Sequence, residues 1–422
     1  MSPSDRLLAV VRDNRQGLRR ALPSWCTAHP ETLAAILAAH RDNDDPILIE
    51  ATCNQVNQEG GYTGLTPRAF RAFVEGLAKE EGIDARRLLF GGDHLGPNPW
   101  RHLTSHEAMS RAGEMVRAYV EAGYIKIHLD ASMRCADDGS LQESEIAGRA
   151  AELCAIAELA SSEPSLVYVV GTEVPIPGGE TTPLSAHAVT PAANVHRTID
   201  LHDKAFASRG LGGVMRRVIA IVVQPGVDFN NNEILHFDKT AAASLVEALA
   251  EYPTIAFEGH STDFQSETAL AGLVDCNFAF LKVGPELTFA FREAVFAMAS
   301  ADTVFAGLGD SAVVRALEEV MDADPSQWRP YVAEGRDARI DRLFGLSDRV
   351  RYYWGKQSVK SAVDAQMARF ASKDISPGVL RQFIGALESD KPSTTLSKRV
   401  IEARVQKVVR RYRDAAGAAV QQ

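Results

Sequence analysis

Short apolar runs alternate with segments of helical periodicity over about the first 300 residues of the chain. Eight of these runs have the length and composition of buried strands, at residues 17–26 (the weakest), 46–52, 88–90, 124–129, 166–170, 218–223, 254–257 and 278–283. Helical patterns separate most of them, at residues 32–40, 67–80, 107–122, 146–159 and 239–252. Strands that alternate with helices predict right-handed crossover units and a parallel sheet.

Polar residues follow nearly every predicted strand, and this favours one of two α/β architectures. An open doubly wound sheet normally has one dominant ligand-binding loop, whereas a barrel gathers its loops at the C-terminal ends of all strands. We therefore predict a (β/α)8 TIM barrel over residues 1–300, with the active site at its C-terminal face. Residues 301–422 contain further helical patterns, at 311–321, 338–344, 358–370, 379–387 and 396–415. They predict a helical extension that packs on the barrel and either covers its mouth or serves an interface.

Composition and charge narrow the range of functions. The net charge of −10, without a long Lys/Arg run, argues against nucleic acid and anionic membranes as partners, so an anionic substrate must be held by local groups. Five scattered cysteines without a CxxC pair argue against a disulfide framework and a structural zinc site. The N-terminus lacks the apolar core of a signal peptide and no stretch reaches transmembrane length, which predicts a cytoplasmic protein.

The most informative stretch is LLFGGDHLGPNPW, at residues 88–100. An apolar strand runs into two glycines, after which Asp93 and His94 stand side by side at the predicted C-terminal end of the strand. Ligands bind at this end in parallel α/β proteins, so the pair is a candidate for catalysis and metal binding. The alternative is that Asp93 caps a helix and His94 is a core histidine.

A divalent metal site requires His, Asp or Glu side chains that converge from different elements. His94, Glu173 and His260 follow predicted strands three, five and seven, and two imidazoles with one carboxylate would leave open positions on Zn²⁺, Mg²⁺ or Mn²⁺. Glu173 and Glu180 flank a pair of glycines, which is typical either of a binding loop or of a solvated surface loop.

Candidate residues for binding a substrate or its phosphate also follow the strands. Gly259, Ser261, Thr262 and Gly284 lie after strands seven and eight, where barrels bind phosphate through backbone N–H groups, although the two hydroxyls could simply cap a helix. Asp130, Gln224 and Glu286 lie at the ends of strands four, six and eight. Lys282, within strand eight, is either a Schiff-base lysine or an ion-paired lysine, and beside a metal site we favour the ion pair.

Six motifs, in order, resemble the tagatose-bisphosphate aldolase Z-subunit (GatZ/KbaZ-like) family. They are GGDHLGPNPW, HLDAS, GTEVPIPGGE, VVQPGVDFNNNE, FEGHSTDFQ and FLKVGPELTFAFREA, and the resemblance runs from about residue 17 to past residue 350. Members of the family have been labelled tagatose-6-phosphate kinase or non-catalytic aldolase subunit, and some are ketose-6-phosphate 4-epimerases. The family is in turn similar to the class II, zinc-dependent ketose-bisphosphate aldolases.

This resemblance implies roles for particular residues. The Asp-His pair of the aldolases falls on Asp93, as catalytic acid/base, and on His94, as a metal ligand. Glu173 would be the second ligand, Glu180 a catalytic carboxylate, and His260-Ser261-Thr262 the loop that binds metal and phosphate. The resemblance also implies a homo-oligomer, because class II relatives are commonly dimers or tetramers.

Three departures from the aldolase pattern matter for the activity. Gln224 stands where the aldolases have their remaining metal histidine, Thr181 replaces the second acid of a Glu-Glu pair, and Gly284-Pro285-Glu286 replaces an Asn-x-Asp motif. These changes argue against ordinary bisphosphate aldolase activity but leave a metal and Asp93 in place. Kinase activity has little support, because a GxxxxGK[ST] loop is absent and residues 307–310 (GLGD) are a weak ribokinase-like match.

The sequence therefore predicts a metal-dependent ketohexose-phosphate 4-epimerase of carbohydrate catabolism, which interconverts D-tagatose 6-phosphate and D-fructose 6-phosphate by retro-aldol and aldol steps. Two alternatives remain. One is a non-catalytic subunit that stabilises a separate class II D-tagatose-1,6-bisphosphate aldolase subunit, and the other is that aldolase itself.

Overall fold

Eight parallel strands close into a barrel in the computed structural model, which describes residues 1–162, 166–174, 179–181, 184, 189–306, 311–332, 335–372, 375–385, 387 and 395–417. The strands are β1 (Leu22–Trp25), β2 (Ile47–Thr52), β3 (Leu88–Leu95), β4 (Lys126–Leu129), β5 (Val167–Val170), β6 (Val218–Val222), β7 (Ala256–Gly259) and β8 (Phe278–Val283). Each strand pairs with its neighbours in sequence, and β1 pairs with β8 to close the barrel. The predicted (β/α)8 architecture is confirmed, and each of the apolar runs overlaps a strand, although β3 and β7 extend beyond the runs at 88–90 and 254–257.

Helices surround the barrel. Five of the eight overlap the helical patterns of the sequence, and the three at residues 192–208, 267–275 and 285–306 lie where the sequence analysis predicted none. The eight helices are α2 (Pro30–Ala38), α3 (Pro67–Glu80), α4 (Ser105–Glu121), α5 (Glu143–Ala160), α6 (Ala192–Ser208), α7 (Ala243–Ala248), α8 (Glu267–Asp275) and α9 (Pro285–Ala306). Their ends follow from local chemistry: the hydroxyls of Thr66, Thr104 and Ser266 accept backbone N–H groups in the first turns of α3, α4 and α8. A short antiparallel hairpin follows β6, and its two strands are Asp228–Phe229 and Ile234–Leu235.

The N-terminal end of the barrel is filled by an apolar layer. Helix α1 (Pro3–Arg15) packs against β7 and β8, and its residues Leu7, Val10 and Val11 share one buried cluster with Leu48 and Phe280 of the strands. Side chains alternate between the two faces of a strand, so the next inward positions lie closer to the C-terminal mouth. Those positions carry charged residues, and they form the candidate site.

The extension contains α10 (Ala312–Ala323), α11 (Ala338–Phe344), α12 (Gln357–Ser372), α13 (Pro377–Phe383) and α14 (Leu396–Ala415). Helix α14 packs on α2, α8 and α9, and the Tyr412 hydroxyl donates to the Thr262 carbonyl at 2.6 Å. Helix α9 runs continuously through residue 300, so the division of domains there stays a prediction. Among the described residues, no helix is both long and apolar enough to span a membrane.

Gly96 supports a stability prediction because it allows β3 and β4 to approach closely. A Cβ at this position would lie 1.6 Å from the carbonyl oxygen of Asp130. We expect Gly96→Ala to lower the free energy of unfolding by about 1–3 kcal/mol or more. A matched control is Gly76→Ala, on the exposed side of α3 with open space around it, which should stabilise by roughly 0.5–1 kcal/mol. Urea unfolding measures both, and equal free energies for the two variants would contradict this account.

Candidate active site

Five fully or almost fully buried charged side chains, two lysines and three carboxylates, form a layer across the inside of the barrel. The Lys126 Nζ lies 2.6 Å from Glu50 Oε1 and 2.5 Å from Glu258 Oε2. The Lys282 Nζ contacts Glu50 Oε2 and lies 2.9 Å from Asp93 Oδ1 and 3.7 Å from Glu258 Oε1. The two ammonium groups thus neutralise carboxylates that burial alone would make costly. Lys282 is ion-paired, as the sequence interpretation favoured.

Glycine provides the space for this layer. Gly91 lies beside Glu50 in the register of β2 and β3, and beside Lys126 in the register of β3 and β4. A Cβ on Gly91 would lie 2.5 Å from Glu50 Oε1. The glycine that ends the apolar part of β3 is therefore required by the size of the Glu50 carboxylate.

A backbone irregularity turns Asp93 and His94 into the same region. Adjacent residues of a regular strand point to opposite faces, but the pairing of β3 with β4 shifts register between Gly92 and Leu95, and His94 has a φ of 50°. Such bulges redirect side chains next to active sites. Asp93 and His94 are only 2% and 3% exposed, and both line one cavity.

Three histidine rings lie together above the charged layer. The ring centroids of His94 and His260 are 4.8 Å apart, those of His94 and His128 are 5.1 Å apart, and those of His128 and His260 are 5.2 Å apart. They come from β3, β4 and the end of β7, so the closure of the barrel brings them together.

Each of these imidazoles has one nitrogen against a carboxylate. His94 Nδ1 lies 2.8 Å from Asp130 Oδ2, His128 Nδ1 lies 2.9 Å from Asp93 Oδ1, and His260 Nε2 lies 3.0 Å from Glu258 Oε1. His128 Nε2 is buried without a hydrogen-bond partner among the described residues. Carboxylates that hold one nitrogen of a histidine orient the other nitrogen, which is the usual arrangement around a bound metal.

Burial and charge set the protonation of these groups. Burial is the main cause that lowers the pKa of His260 to about 3, so this imidazole is neutral. Burial also lowers the pKa of His94, but Asp93 and Asp130 raise it by more. For Asp93, burial acts to raise the pKa, and His94, Lys282 and the hydrogen bond from His128 together hold it well below its usual range. Asp93 is therefore an ionised carboxylate.

The cavity above these groups has a volume of about 880 Å³, within the range of small-molecule sites. Asp93, His94, His260 and Lys282 lie at its base. Its outer wall includes residues 351–356 of the extension, so the extension lines the mouth of the barrel.

Several other predicted residues lie at or near this cavity. Ser261 and Gly284 line the cavity, and Asp130 contacts His94, which lines it as well. Gly259 ends β7, directly before His260. Thr262 is fully buried, and its hydroxyl donates to the Lys282 carbonyl at 2.7 Å. Glu286 accepts from the Phe264 N–H at 2.7 Å and from Arg411.

The remaining predicted residues contact other groups. Glu173 accepts from the Thr190 hydroxyl at 2.7 Å and from Asn194. Gln224 Oε1 accepts from two backbone N–H groups, of Gly226 at 2.8 Å and Val227 at 2.9 Å. The backbone N–H of Glu180 donates to the Phe229 carbonyl at 2.9 Å. Neither residues 175–178 of the Glu173–Glu180 loop nor the GLGD segment at 307–310 belongs to the described residues.

Asp263 contacts the backbone donors where a phosphate was expected. Its Oδ1 accepts from the N–H of Gly284 at 3.1 Å and from the N–H of Glu286 at 2.8 Å. Burial, with a smaller effect of the Glu286 carboxylate, raises the pKa of Asp263 to about 7. The N-terminus of α9 thus already has an internal acceptor.

The sequence interpretation missed His128, Glu50, Lys126 and Glu258. The signal was present, because His128 and Lys126 lie two and four residues before Asp130, and Glu258 lies two residues before His260. Residues two apart share one face of a strand. Charged residues at this spacing inside an otherwise apolar strand therefore indicate the interior of the barrel.

The chain is similar over nearly its whole length to one protein family and to several of its members. A family model described as D-tagatose-1,6-bisphosphate aldolase subunit GatZ/KbaZ-like matches residues 7–417. A D-tagatose 6-phosphate 4-epimerase from Agrobacterium fabrum (strain C58) is 43% identical over 97% of this chain and 99% of its own length. A D-tagatose-1,6-bisphosphate aldolase subunit GatZ from Escherichia coli O6:K15:H31 (strain 536) is also 43% identical, over 89% of this chain and 90% of its own length. A crystal structure of a probable tagatose 6 phosphate kinase from Sinorhizobium meliloti 1021 has a TM-score of 0.85 at 38% identity and covers 94% of this chain and 100% of its own.

Removing one lysine of the charged layer tests its role in stability. Lys126→Met would leave Glu50 and Glu258 to share Lys282, and we expect a loss of about 3–5 kcal/mol in the free energy of unfolding. The matched control is Lys204→Met, which breaks the exposed pair with Asp200 and should change stability by less than about 1 kcal/mol. Chemical denaturation compares the two, and a near-neutral Lys126→Met would contradict the structural role.

The raised pKa of Asp263 predicts that the stability of the folded protein depends on pH. Its pKa in the folded protein, about 7, is above the ordinary value of 3.8, so the folded state binds the extra proton. Stability should therefore fall as pH rises from about 4 to about 7, by at most roughly 1.4 kcal/mol per pH unit, and this contribution should be constant above pH 7. Asp263→Asn keeps an oxygen acceptor but does not ionise. The free energy of unfolding of this variant, relative to that of the wild type, should therefore increase across that pH range. Parallel stability curves would show that Asp263 does not titrate there.

Proposed function

Because the chain belongs to the D-tagatose-1,6-bisphosphate aldolase subunit GatZ/KbaZ-like family, we propose that it is a metal-dependent ketohexose-phosphate 4-epimerase. The reaction is the interconversion of D-tagatose 6-phosphate and D-fructose 6-phosphate. One observation carries the proposal: an ionised Asp93 lies beside three histidines, each in contact with a carboxylate, at the base of a cavity of about 880 Å³. The 4-epimerase named among the relatives supports the same substrate.

The residues present fit a divalent metal. One candidate ligand atom from each of Asp93, His128, Glu258 and His260 lies within 4.8 Å of the others, and the unpartnered His128 Nε2 is suited to accept a metal. We propose as the ligands His128 and His260 of this group together with His94, which lies outside it but has its ring centroid 5.1 Å from that of His128 and 4.8 Å from that of His260. His128 on β4 would then take the place of the histidine that is Gln224 after β6. An imidazole-rich set favours Zn²⁺ over Mn²⁺ and Mg²⁺, which are better suited by oxygen ligands. Glu173 would have to leave Thr190 and Asn194 to join them.

The chemistry follows from the low acidity of the C4 proton, which makes direct deprotonation slow. Asp93 accepts the proton of the C4 hydroxyl instead, the C3–C4 bond breaks, and its electron pair remains on the C1–C3 half, while C4 becomes an aldehyde. A bound divalent metal supplies Lewis acidity that stabilises the negative charge developed at the C2 and C3 oxygens. The aldehyde rotates, C3 adds to its other face, and Asp93 returns the proton to the C4 oxygen. Lys282 and His128 keep Asp93 ionised before it accepts this proton, and they hold its carboxyl group in position throughout.

The second candidate is a non-catalytic subunit that stabilises a separate class II aldolase catalytic subunit. Relatives named as GatZ aldolase subunits, at the same 43% identity, favour it, as do the departures at Gln224 and Thr181. A site without chemistry would gain nothing from buried ionised groups, which apolar residues can replace without loss of stability. Direct aldolase activity is the third candidate, and we assign no kinase activity.

A proton NMR time course tests the epimerase. Pure protein is incubated with D-tagatose 6-phosphate and Zn²⁺, Mn²⁺ or Mg²⁺, with an EDTA control and with Asp93→Asn. We expect D-fructose 6-phosphate to appear only with metal and at a rate at least ~100-fold lower in the variant, because the C4 hydroxyl loses its base. Release of triose as the main product would favour the aldolase. No turnover by the single chain with any metal would leave the accessory subunit as the better account.

Metal affinity tests the contribution of His128 separately from turnover. We expect His128→Gln to weaken the binding of Zn²⁺ or Mn²⁺ by at least ~10- to 100-fold in competition with a chromophoric chelator. His202→Gln is the matched control, because His202 of α6 is equally buried and also has an unpartnered Nε2 but lies outside the site. Equal affinities for the two variants would remove His128 from the ligand set.

A further inference from the structure

The cationic side chains that line the cavity are Lys282, Arg351, Lys356 and Lys360. Lys282 is already paired with Glu50 and Asp93. The other three come from the extension, and within the described part of the chain none of them has a carboxylate within 4.0 Å. The lining also includes the carboxylates of Glu31, Asp324 and Asp364. The cations that remain available to a ligand therefore lie at the outer wall of the cavity, without a direct ion pair to these acids among the described residues.

The guanidinium of Arg351 is held in place by hydrogen bonds within the extension. Its Nη1 donates to the carbonyls of Ser347 and Asp348, the latter at 3.0 Å, and its Nη2 donates to the Tyr352 hydroxyl at 3.2 Å. The Tyr352 ring lies against the Tyr62 ring, with centroids 4.7 Å apart, and this contact joins the extension to the loop after β2. The Nε–H of Arg351 has no partner within the described residues, so it is available to a ligand in the cavity.

The barrel has little capacity left for an anion at its usual position. The N–H groups of Gly284 and Glu286 donate to Asp263, and the Thr262 hydroxyl donates to the Lys282 carbonyl. A phosphate there would have to displace a buried carboxylate and would lie beside Glu286 as well. The cations without an ion pair lie instead at the outer wall.

We propose that Arg351, with Lys356 and Lys360, binds the phosphate of the substrate, and that this subsite retains the aldehyde half of the sugar while the C3–C4 bond is open. The inference rests on the proposed function. With C3 and C4 near Asp93 at the base, the C6 phosphate extends towards the mouth, where these cations lie. A guanidinium can bind a phosphate through two parallel hydrogen bonds, and two nearby ammonium groups add charge that the overall net charge of −10 does not supply.

This placement explains retention. Retro-aldol cleavage of a ketohexose 6-phosphate gives dihydroxyacetone and glyceraldehyde 3-phosphate, and only the second product carries phosphate. Once C3–C4 has broken, the phosphate is the anchor of the half that must turn over before it adds back. A weaker anchor should therefore change the product as well as the affinity.

The test compares Arg351→Gln and the double variant Lys356→Gln/Lys360→Gln with wild type and with Lys407→Gln, an exposed lysine of α14 outside the cavity. Calorimetric titration of metal-loaded protein measures the Kd for D-tagatose 6-phosphate and for unphosphorylated D-tagatose. We expect both test variants to bind the phosphorylated sugar at least tenfold more weakly, with D-tagatose unchanged, and inorganic phosphate to compete only in proteins that keep the cations. In turnover, the share of glyceraldehyde 3-phosphate trapped by a coupled dehydrogenase should rise severalfold.

Unchanged affinity for D-tagatose 6-phosphate in both test variants would overturn the subsite, even if the wild type epimerises. Loss of the phosphate preference in the variants would support it, even if the wild type shows no epimerisation, because binding is measured without turnover. If Arg351→Gln folds poorly, the double variant Lys356→Gln/Lys360→Gln still tests the subsite, because both lysines are exposed. The metal affinity of each variant serves as a control, since an unchanged value shows that the base of the cavity is intact.

Discussion

The balance of charge inside the barrel is the constraint on which the rest of the structure depends. Lys126 and Lys282 lie among Glu50, Glu258 and Asp93, and every one of these groups is at least 95% buried. Any one of them alone would be costly in the apolar interior, so the strands must meet in the register that pairs them. Among the described residues, the apolar layer beneath, closed by α1, fills the N-terminal side of the barrel, and the cavity opens at the C-terminal mouth.

The same network organises the chemistry above it. Glu258 contacts both lysines and His260, and Asp93 contacts both Lys282 and His128, so the layer that stabilises the barrel also orients the histidines. The bulge at His94 then adds a third imidazole without lengthening the strand. In the proposed function, stability and chemistry therefore use the same residues, and a substitution at the base of the cavity is expected to affect both.

Local patterns predicted much of this molecule. Apolar runs located all eight strands, and strand ends identified Asp93, His94 and His260, because both signals depend only on neighbours in sequence. Glu50 and Lys126 were missed because a charged residue inside an apolar strand has meaning only once the barrel closes. Arg351 was missed for a related reason: its place at the mouth follows from how the extension folds back over the barrel, and no spacing along the chain encodes that. The role of Asp263 likewise depends on a contact between the ends of β7 and β8.

The central claim is that histidines from three separate strands hold a divalent metal beside an ionised Asp93. Anomalous X-ray diffraction from crystals soaked with Zn²⁺ or Mn²⁺, collected at the absorption edge of the metal, tests it most directly. The account predicts one strong anomalous peak bonded to His94, His128 and His260, within reach of Asp93. A peak on Glu173 and Glu180 instead, or full epimerase activity in crystals whose three histidines bind no metal, would contradict it.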